Sequence, residues 1–125
     1  MNTLLLNDFY EILDSAPDGA EATLSLRPEH PIFGGHFPGL PVVPGVCMMQ
    51  ITKEMLERQL GRATRLASAR NIKFLSVLNP EENKTVRFGL RVLSETPEQI
   101  GVEAQLSSAD GSLVFFKIKA SFSLL

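Results

Sequence analysis

The chain has 125 residues, enough for one domain with a real core, and its 44% hydrophobic and 21% charged content is that of a globular protein. A net charge of −2 removes nucleic acid as a default partner, and a lone cysteine excludes an internal disulfide and fits a reducing, cytoplasmic setting. The opening MNTLLLNDFY has three leucines and then an acid, a pattern expected of neither a secretory leader nor a membrane span.

Residues 4–14 fit two local structures: Asn7 or Asp8 can cap a short helical turn, and Phe9 to Leu13 can continue as a strand. The run APDG, Ala16 to Gly19, signals a turn. Ala20 to Arg27 alternates, with Ala22, Leu24 and Leu26 on one face and Glu21, Thr23, Ser25 and Arg27 on the other. That period of two predicts a half-buried strand, ended by Pro28. Residues 28–43 form a stiff loop, because each proline fixes φ and removes a donor, which excludes helix and central strand there. Pro44 suits the first turn of a helix. Val46 to Ile51 is apolar almost all round, so the helix is expected to begin inside the protein. Beyond Ile51 it turns amphipathic, with Met55, Leu56 and Leu60 set against Lys53, Glu54, Glu57 and Arg58. Gly61 suits the C′ position, which makes the helix about 25 Å long.

The second half is strand-like. Arg70 to Leu78 is apolar with partial alternation, and NPEEN turns the chain. Thr85 to Leu93 alternates cleanly, with Val86, Phe88, Leu90 and Val92 inward. Ile100 to Leu106 alternates likewise, and Ala109-Asp110-Gly111 predicts a type I′ hairpin. Leu113 to Phe122 is the last strand, and its phase slips at Phe115-Phe116, as at a bulge or in a strand buried on both faces. The order is strand, loop, long helix, then three or four consecutive antiparallel strands. One apolar helix and one such sheet bury each other only if the sheet wraps the helix, so the fold class is α+β in a single domain, residues 1–125. Charge is uneven: Lys53 to Lys73 carries six basic residues against Glu54 and Glu57, a local excess of +4. Within it, Arg58 to Lys73 reads either as a solvated helix end and loop or as a landing patch for an acidic partner.

Chemistry concentrates in His30 to Gln50, which holds both histidines, the cysteine, four of the eight prolines and four of the nine glycines. His30 precedes a proline and reads best as a structural loop residue. His36 follows Gly34-Gly35, which permit close backbone approach to a ligand. Pro44-Gly45-Val46 offers free N–H groups and the positive end of the helix dipole, which can hold a carbonyl that gains charge. Gln50 lies in the apolar half of the helix, so it either bonds locally or faces a polar cavity, and Glu54 follows one turn later. Cys47 reads as a small buried hydrophobe. The donors are too few for a metal site.

The unbroken run GHFPGLPVVPGV, Gly35 to Val46, resembles the signature of the 3-hydroxyacyl-[acyl-carrier-protein] dehydratases of bacterial fatty-acid synthesis, a hotdog-fold family. NIKFLSVLNPEENKTV and DGSLVFFKIKASF resemble that family's next strand and final hairpin, with Leu78 replacing a valine. The resemblance covers most of the chain. It implies a hotdog fold, an antiparallel sheet wrapped around one central helix, and reversible loss of water from a 3-hydroxyacyl thioester in fatty-acid, lipid or polyene synthesis. It implies no cofactor and no metal. It makes His36 the catalytic base, and Phe37, Pro44, Gly45 and Val46 the substrate-binding positions.

At one position the sequence departs from the family. The Glu or Asp that the family carries six residues after the proline of PGV is Gln50 here, and an amide delivers no proton at neutral pH. Gln50 can still orient a hydroxyl or water. Glu54 can substitute only through water, being about 6 Å further along the helix. Three readings stay open: a dehydratase in which His36 makes both proton transfers, a hotdog thioesterase, or a non-catalytic acyl-binding subunit paired with an active dehydratase. The resemblance further implies an acyl carrier protein as partner and a homodimer, or a trimer of dimers, with sheets joined edge to edge and sites at the interface.

Overall fold

The computed structural model describes residues 5–18, 20–34 and 41–125. Its strands are β1 (Tyr10–Ser15), β2 (Glu21–Leu26), β3 (Thr64–Phe74), β4 (Thr85–Glu95), β5 (Gln99–Ser108) and β6 (Val114–Leu124), with one α-helix, α1 (Gly45–Leu60), among the described residues. They form a six-stranded sheet of order β1-β2-β4-β5-β6-β3, antiparallel at every pairing. This is the α+β hotdog architecture expected above. The final strands are not all neighbours, however. β3 crosses over to pair with β6 at the far edge and does not touch β4.

The register explains why one face is apolar. Leu24 pairs with Val86, Phe88 with Leu106, Leu106 with Phe116, and Ala104 with Ile118. Directly opposed residues share a face, so these rows make one continuous inner surface. Met48, Ile51 and Met55 of α1 bury against the same core. A side chain such as Ile51, fully buried, contributes about 1.5–3 kcal/mol by leaving water. Thr52 is buried too and returns its hydroxyl to the Met48 carbonyl, 3.0 Å away.

Local chemistry sets the ends of the elements. The helix stops at Gly61, whose φ of 70° places it in the left-handed region and lets its N–H reach the Glu57 carbonyl. The Glu57 carboxylate then accepts Lys53 Nζ and the N–H and hydroxyl of Thr64, which fastens the helix end to the start of β3. Burial pushes its pKa up, but these hydrogen bonds outweigh that, and it lies below the usual glutamate value. The turn before β1 does not propagate as a helix: Phe9 N–H returns to the Leu5 carbonyl, but Asn7 has φ 69° and breaks the run.

Six expectations are corrected. The stiff loop does contain helix, a single 3₁₀ turn at Pro31–Gly34, since a proline can open such a turn. Pro44, with ψ 146°, precedes the first turn of α1 as its N-cap and does not lie within it. Val46, expected inside, is 71% exposed, whereas Glu54, expected on the polar face, is 5% exposed. The supposed loop after the helix is the first half of β3, which begins at Thr64 and ends at Phe74. The 109–111 hairpin is not type I′, because only Gly111 has positive φ; the Ser108 N–H bonds across the loop to the Leu113 carbonyl. By contrast, the phase slip at Phe115-Phe116 is a bulge: Leu106 pairs with Phe116 and Ser107 with Val114, leaving Phe115 unopposed.

Asp110 organises this last hairpin. Its Oδ1 accepts Ser108 Oγ, Ser112 N and Ser112 Oγ at 2.7–3.0 Å. The Ser112 N–H foremost, with the two hydroxyls, pulls its pKa from 3.8 down to about 2. A carboxyl depressed in the folded state stabilises above its unfolded pKa and loses that contribution as pH falls through the folded one. The melting temperature of Asp110→Ala should therefore lie below wild type at about pH 6, with the gap closing towards about pH 2. A gap that does not change with pH would remove the carboxylate from the turn's stability.

Candidate functional site

The chain enters α1 through an extended strap. Val43 N–H bonds to the Leu78 carbonyl at 2.9 Å, and Pro44 at φ −63°, ψ 146° turns the strap into the helix. The Pro44 carbonyl accepts Cys47 N and Met48 N. Among the described residues the N–H groups of Gly45 and Val46 meet no acceptor, no side chain caps them, and the first turn holds no acid. The positive end of the helix is thus open. It opens beside a cavity of about 370 Å³ walled by Val42, Gly45, Met48, Phe74, Val77 and Leu78. Gly45 lets Phe74 lie close over the helix start, since a Cβ there would lie 2.6 Å from Phe74 Cζ and displace the ring.

Val46, Gln50 and Glu54 lie at successive i, i+4 positions and so share one helix face. That face runs from exposed Val46 through half-buried Gln50 to buried Glu54. Gln50 Nε2 donates to Glu54 Oε2 at 2.9 Å, so Gln50 takes the local bond that was one of its two expected fates. Glu54 does more than was expected of it. Its Oε2 also accepts Leu5 N at 2.7 Å, and its Oε1 accepts Leu6 N and Tyr10 Oη, each at 3.0 Å. Burial, and then the Glu54 charge, push the Tyr10 pKa far above the ordinary phenol value, so that hydroxyl keeps its proton and donates it. Four donors leave Glu54 no free lone pair with which to stand in as the missing acid, even through water. No spacing rule flags this cluster, because Tyr10 and Glu54 are 44 residues apart.

The loop head is built from the same N-terminal segment. His30 Nδ1 accepts Ile32 N at 3.1 Å and its Nε2 meets Asp8 Oδ2 at 3.1 Å. Phe9 packs edge-on to His30 and against Phe33. His30 is therefore a structural residue, as the sequence reading preferred. Cys47 is 4% exposed, and burial pushes its thiol up to about 11, which suits the small hydrophobe it was expected to be. His36 and Phe37 lie outside the described residues. The structure brings Gly45 together with Phe74 and Leu78, with Pro44 and Val46 its chain neighbours, and places Gln50 one turn beyond Val46.

A second group was partly missed. β3 pairs with β6 so that Lys73 opposes Lys117 and Asn71 opposes Lys119, on the face away from the core. Arg65 opposes Ser123 on that same face. Only part of the Lys53–Lys73 basic run therefore makes a patch, and β6 adds to it. The FKIKAS alternation was a usable signal, since it turns both lysines of β6 outward. Arg62 has another task and donates to the Leu125 main-chain oxygen.

The Glu54 cluster makes a stability prediction. Tyr10→Phe removes one hydrogen bond to a carboxylate and should cost about 1–2 kcal/mol, whereas Glu54→Leu strands two backbone N–H groups and should cost more than about 2 kcal/mol. Urea unfolding measures both, and a neutral Glu54→Leu would show that the cluster does not hold the N-terminal segment.

Comparison with known proteins accords with this geometry. The 3-hydroxyacyl-[acyl-carrier-protein] dehydratase FabZ of Latilactobacillus sakei is 29% identical over 87 residues, 64% of this chain and 60% of that protein. The match thus spans about three fifths of that relative's length. Among solved structures, BH2602 of Bacillus halodurans with CoA superposes with a TM-score of 0.62 at 19% identity, over 90% of this chain and 72% of that one. Thioesterase HI1161 of Haemophilus influenzae gives 0.68 at 8% identity, over 99% and 83%. At such identities these structures share the hotdog fold alone. No described helix is long and apolar enough to cross a membrane. The family whose sequence pattern matches is ApeI-like, described as ApeI dehydratase, over residues 13–112. That is a dehydratase family, though not the fatty-acid-synthesis family of the sequence resemblance, and with four fifths of its residues matched the chain belongs to the ApeI-like dehydratase family.

Proposed function

We propose that the chain interconverts 3-hydroxyacyl and trans-2-enoyl thioesters delivered by an acyl carrier protein, by loss or addition of water. The observation that carries this is the open N-terminus of α1 beside an apolar cavity of about 370 Å³. The uncapped N–H groups of Gly45 and Val46 receive the thioester carbonyl as it gains negative charge in this reading, with Pro44 shaping the helix start. His36 is the base and Phe37 a neighbouring contact. An imidazole nitrogen takes the C2 proton, the C2–H electrons form the C2=C3 bond, and the C3–O bond breaks. The proton then passes from imidazolium to the departing hydroxide, which leaves as water. Gln50 orients that hydroxyl.

A second copy of the chain fits the same reading. Leu66, Ile72 and Phe74 of β3 oppose buried Phe122, Ile118 and Phe116 on the inner face, yet all three are more than a third exposed. β3 is an edge strand, and Val46 near it is bare. A partner's sheet edge laid along β3 would cover this apolar row, and the family resemblance then has His36 of one chain and Gln50 of the other complete each site. The patch of Arg65, Lys73 and Lys117, beside Lys119 paired with Glu103 at 3.6 Å, suits the acidic carrier, since the directly opposed Lys73 and Lys117 are unfavourable without an anion.

A competing reading, binding without turnover, is favoured by one observation: Gln50 supplies no acid, and its amide is committed to Glu54. Incubation with a 3-hydroxyacyl-carrier-protein, or with its enoyl product, separates the two. Interconversion should be seen and should fall at least about 100-fold in His36→Ala. Binding with no turnover would favour the non-catalytic reading, and release of free thiol would favour a thioesterase. Light scattering at micromolar concentration should give twice 13.7 kDa or a multiple of it, and a monomer there would sink the shared site.

A further inference from the structure

On the sheet face away from the core, the outward residues fall into rows. One row reads Lys73, Lys117, Gln105, Gly89, Glu21, from β3 through β6, β5 and β4 to β2. The next reads Asn71, Lys119, Glu103, Arg91. A hollow of about 410 Å³ lies over Gly89, with Glu21, Arg91, Gln105 and Lys117 around it. The backbone does not explain this glycine. It pairs in regular register with Glu21 and Gln105, and its φ is not positive. A Cβ on it would meet nothing within 4 Å. A glycine of that kind inside a central strand marks a close approach by a ligand or another chain. The charges around it are incompletely matched: Lys117 pairs with no acid among the described residues, and Glu21 reaches only Arg87, at 4.0 Å.

We infer that this hollow receives a second copy of the chain, outer face to outer face, about a two-fold axis running along the strands between β4 and β5. That axis exchanges β4 with β5 and β2 with β6, and sets each row opposite itself. Lys117 of each copy then lies over Glu21 of the other. Gln105 of each copy fills the space that Gly89 leaves in the other. Arg91 and Glu103, 2.6 Å apart within one chain, meet Glu103 and Arg91 of the second copy in a square of alternating sign. Stacked sheets lie about 10 Å apart, a gap that side chains of this length fill from both sides. A face that meets its own two-fold image with unlike charges is self-complementary. A uniformly acidic partner laid over the same hollow would be repelled by Glu21 and Glu103. Lys73, one strand further out than Lys117, stays open to the carrier. The contact is separate from the β3 edge and does not depend on the acyl-thioester reading.

Sedimentation velocity tests it. At about 50 mM salt wild type should form a species of twice the mass seen at about 500 mM, because the contact is built from exposed charges. Glu21→Lys and Lys117→Glu should each weaken that association at least about tenfold, and the double exchange should restore it. Both side chains are exposed, so the reversals leave the fold intact. Gly89→Gln, for which a single chain has room, should abolish the association by filling the hollow. A wild type that never exceeds its high-salt mass overturns the inference. So do single variants that associate like wild type, or a double variant that stays apart. Loss of carrier binding in Gly89→Gln with assembly unchanged would give the hollow to the carrier and overturn it as well.

Discussion

Burying a carboxylate costs several kcal/mol unless donors replace the water it loses, and Glu54, 5% exposed, receives four. Those donors come from separate parts of the chain. Leu5, Leu6 and Tyr10 belong to the N-terminal turn and β1, and Gln50 belongs to the helix. The turn that Glu54 holds carries Asp8 and Phe9, which in turn hold His30 and Phe33 at the head of the loop. One side chain thereby ties the N-terminal segment, the stiff loop and the helix into a single unit. Gln50, a residue of the candidate site, is held within this unit by its bond to Glu54.

The sheet supplies the complementary constraint. Its inner rows continue without a break from β2 to β3, buried through the middle of the sheet but partly exposed along β3. Two bulges in β3 leave Ala67 and Arg70 unopposed, which bends the edge strand. The cavity forms where this strand ends and the helix begins. Phe74 there packs on Phe116 and closely approaches Gly45, where a Cβ would have to push the ring aside. The site wall is thus a by-product of how the β3 edge meets the first turn of the helix.

The sequence made much of the fold legible. The period of two in Ala22, Leu24 and Leu26, and again in Ile100, Val102, Ala104 and Leu106, identifies the buried face because the sheet has one wet side. Gly61 marks the helix end because only a left-handed residue closes it so. What stayed hidden depends on contacts distant in sequence. β3 is 11 residues long but was legible only from Arg70, since an edge strand exposed on both faces shows little alternation in its first half. Glu54 looked solvated because helical spacing sets it beside Lys53, Glu57 and Arg58, and nothing nearby announces the donors at Leu5, Leu6 and Tyr10. Of the site, the helix start at Gly45 could be read from its Pro-Gly pair. The Phe74 wall and the Gln50–Glu54 bond could not.

That bond changes how the departure at position 50 is understood. Taken alone, Gln50 is an acid replaced by an amide. Taken with Glu54, it is half of a pair whose members constrain each other. Two carboxylates one turn apart in a half-buried place would repel, and one would have to take up a proton. A carboxylate at 54 that must satisfy two backbone N–H groups and a tyrosine therefore favours a donor at 50. An ionised acid at 50 would require position 54 to supply a donor instead. The stability of the N-terminal clamp and the chemistry available at Gln50 are thus set by the same four-residue spacing. An account of what the site does has to begin from the pair and not from the single position.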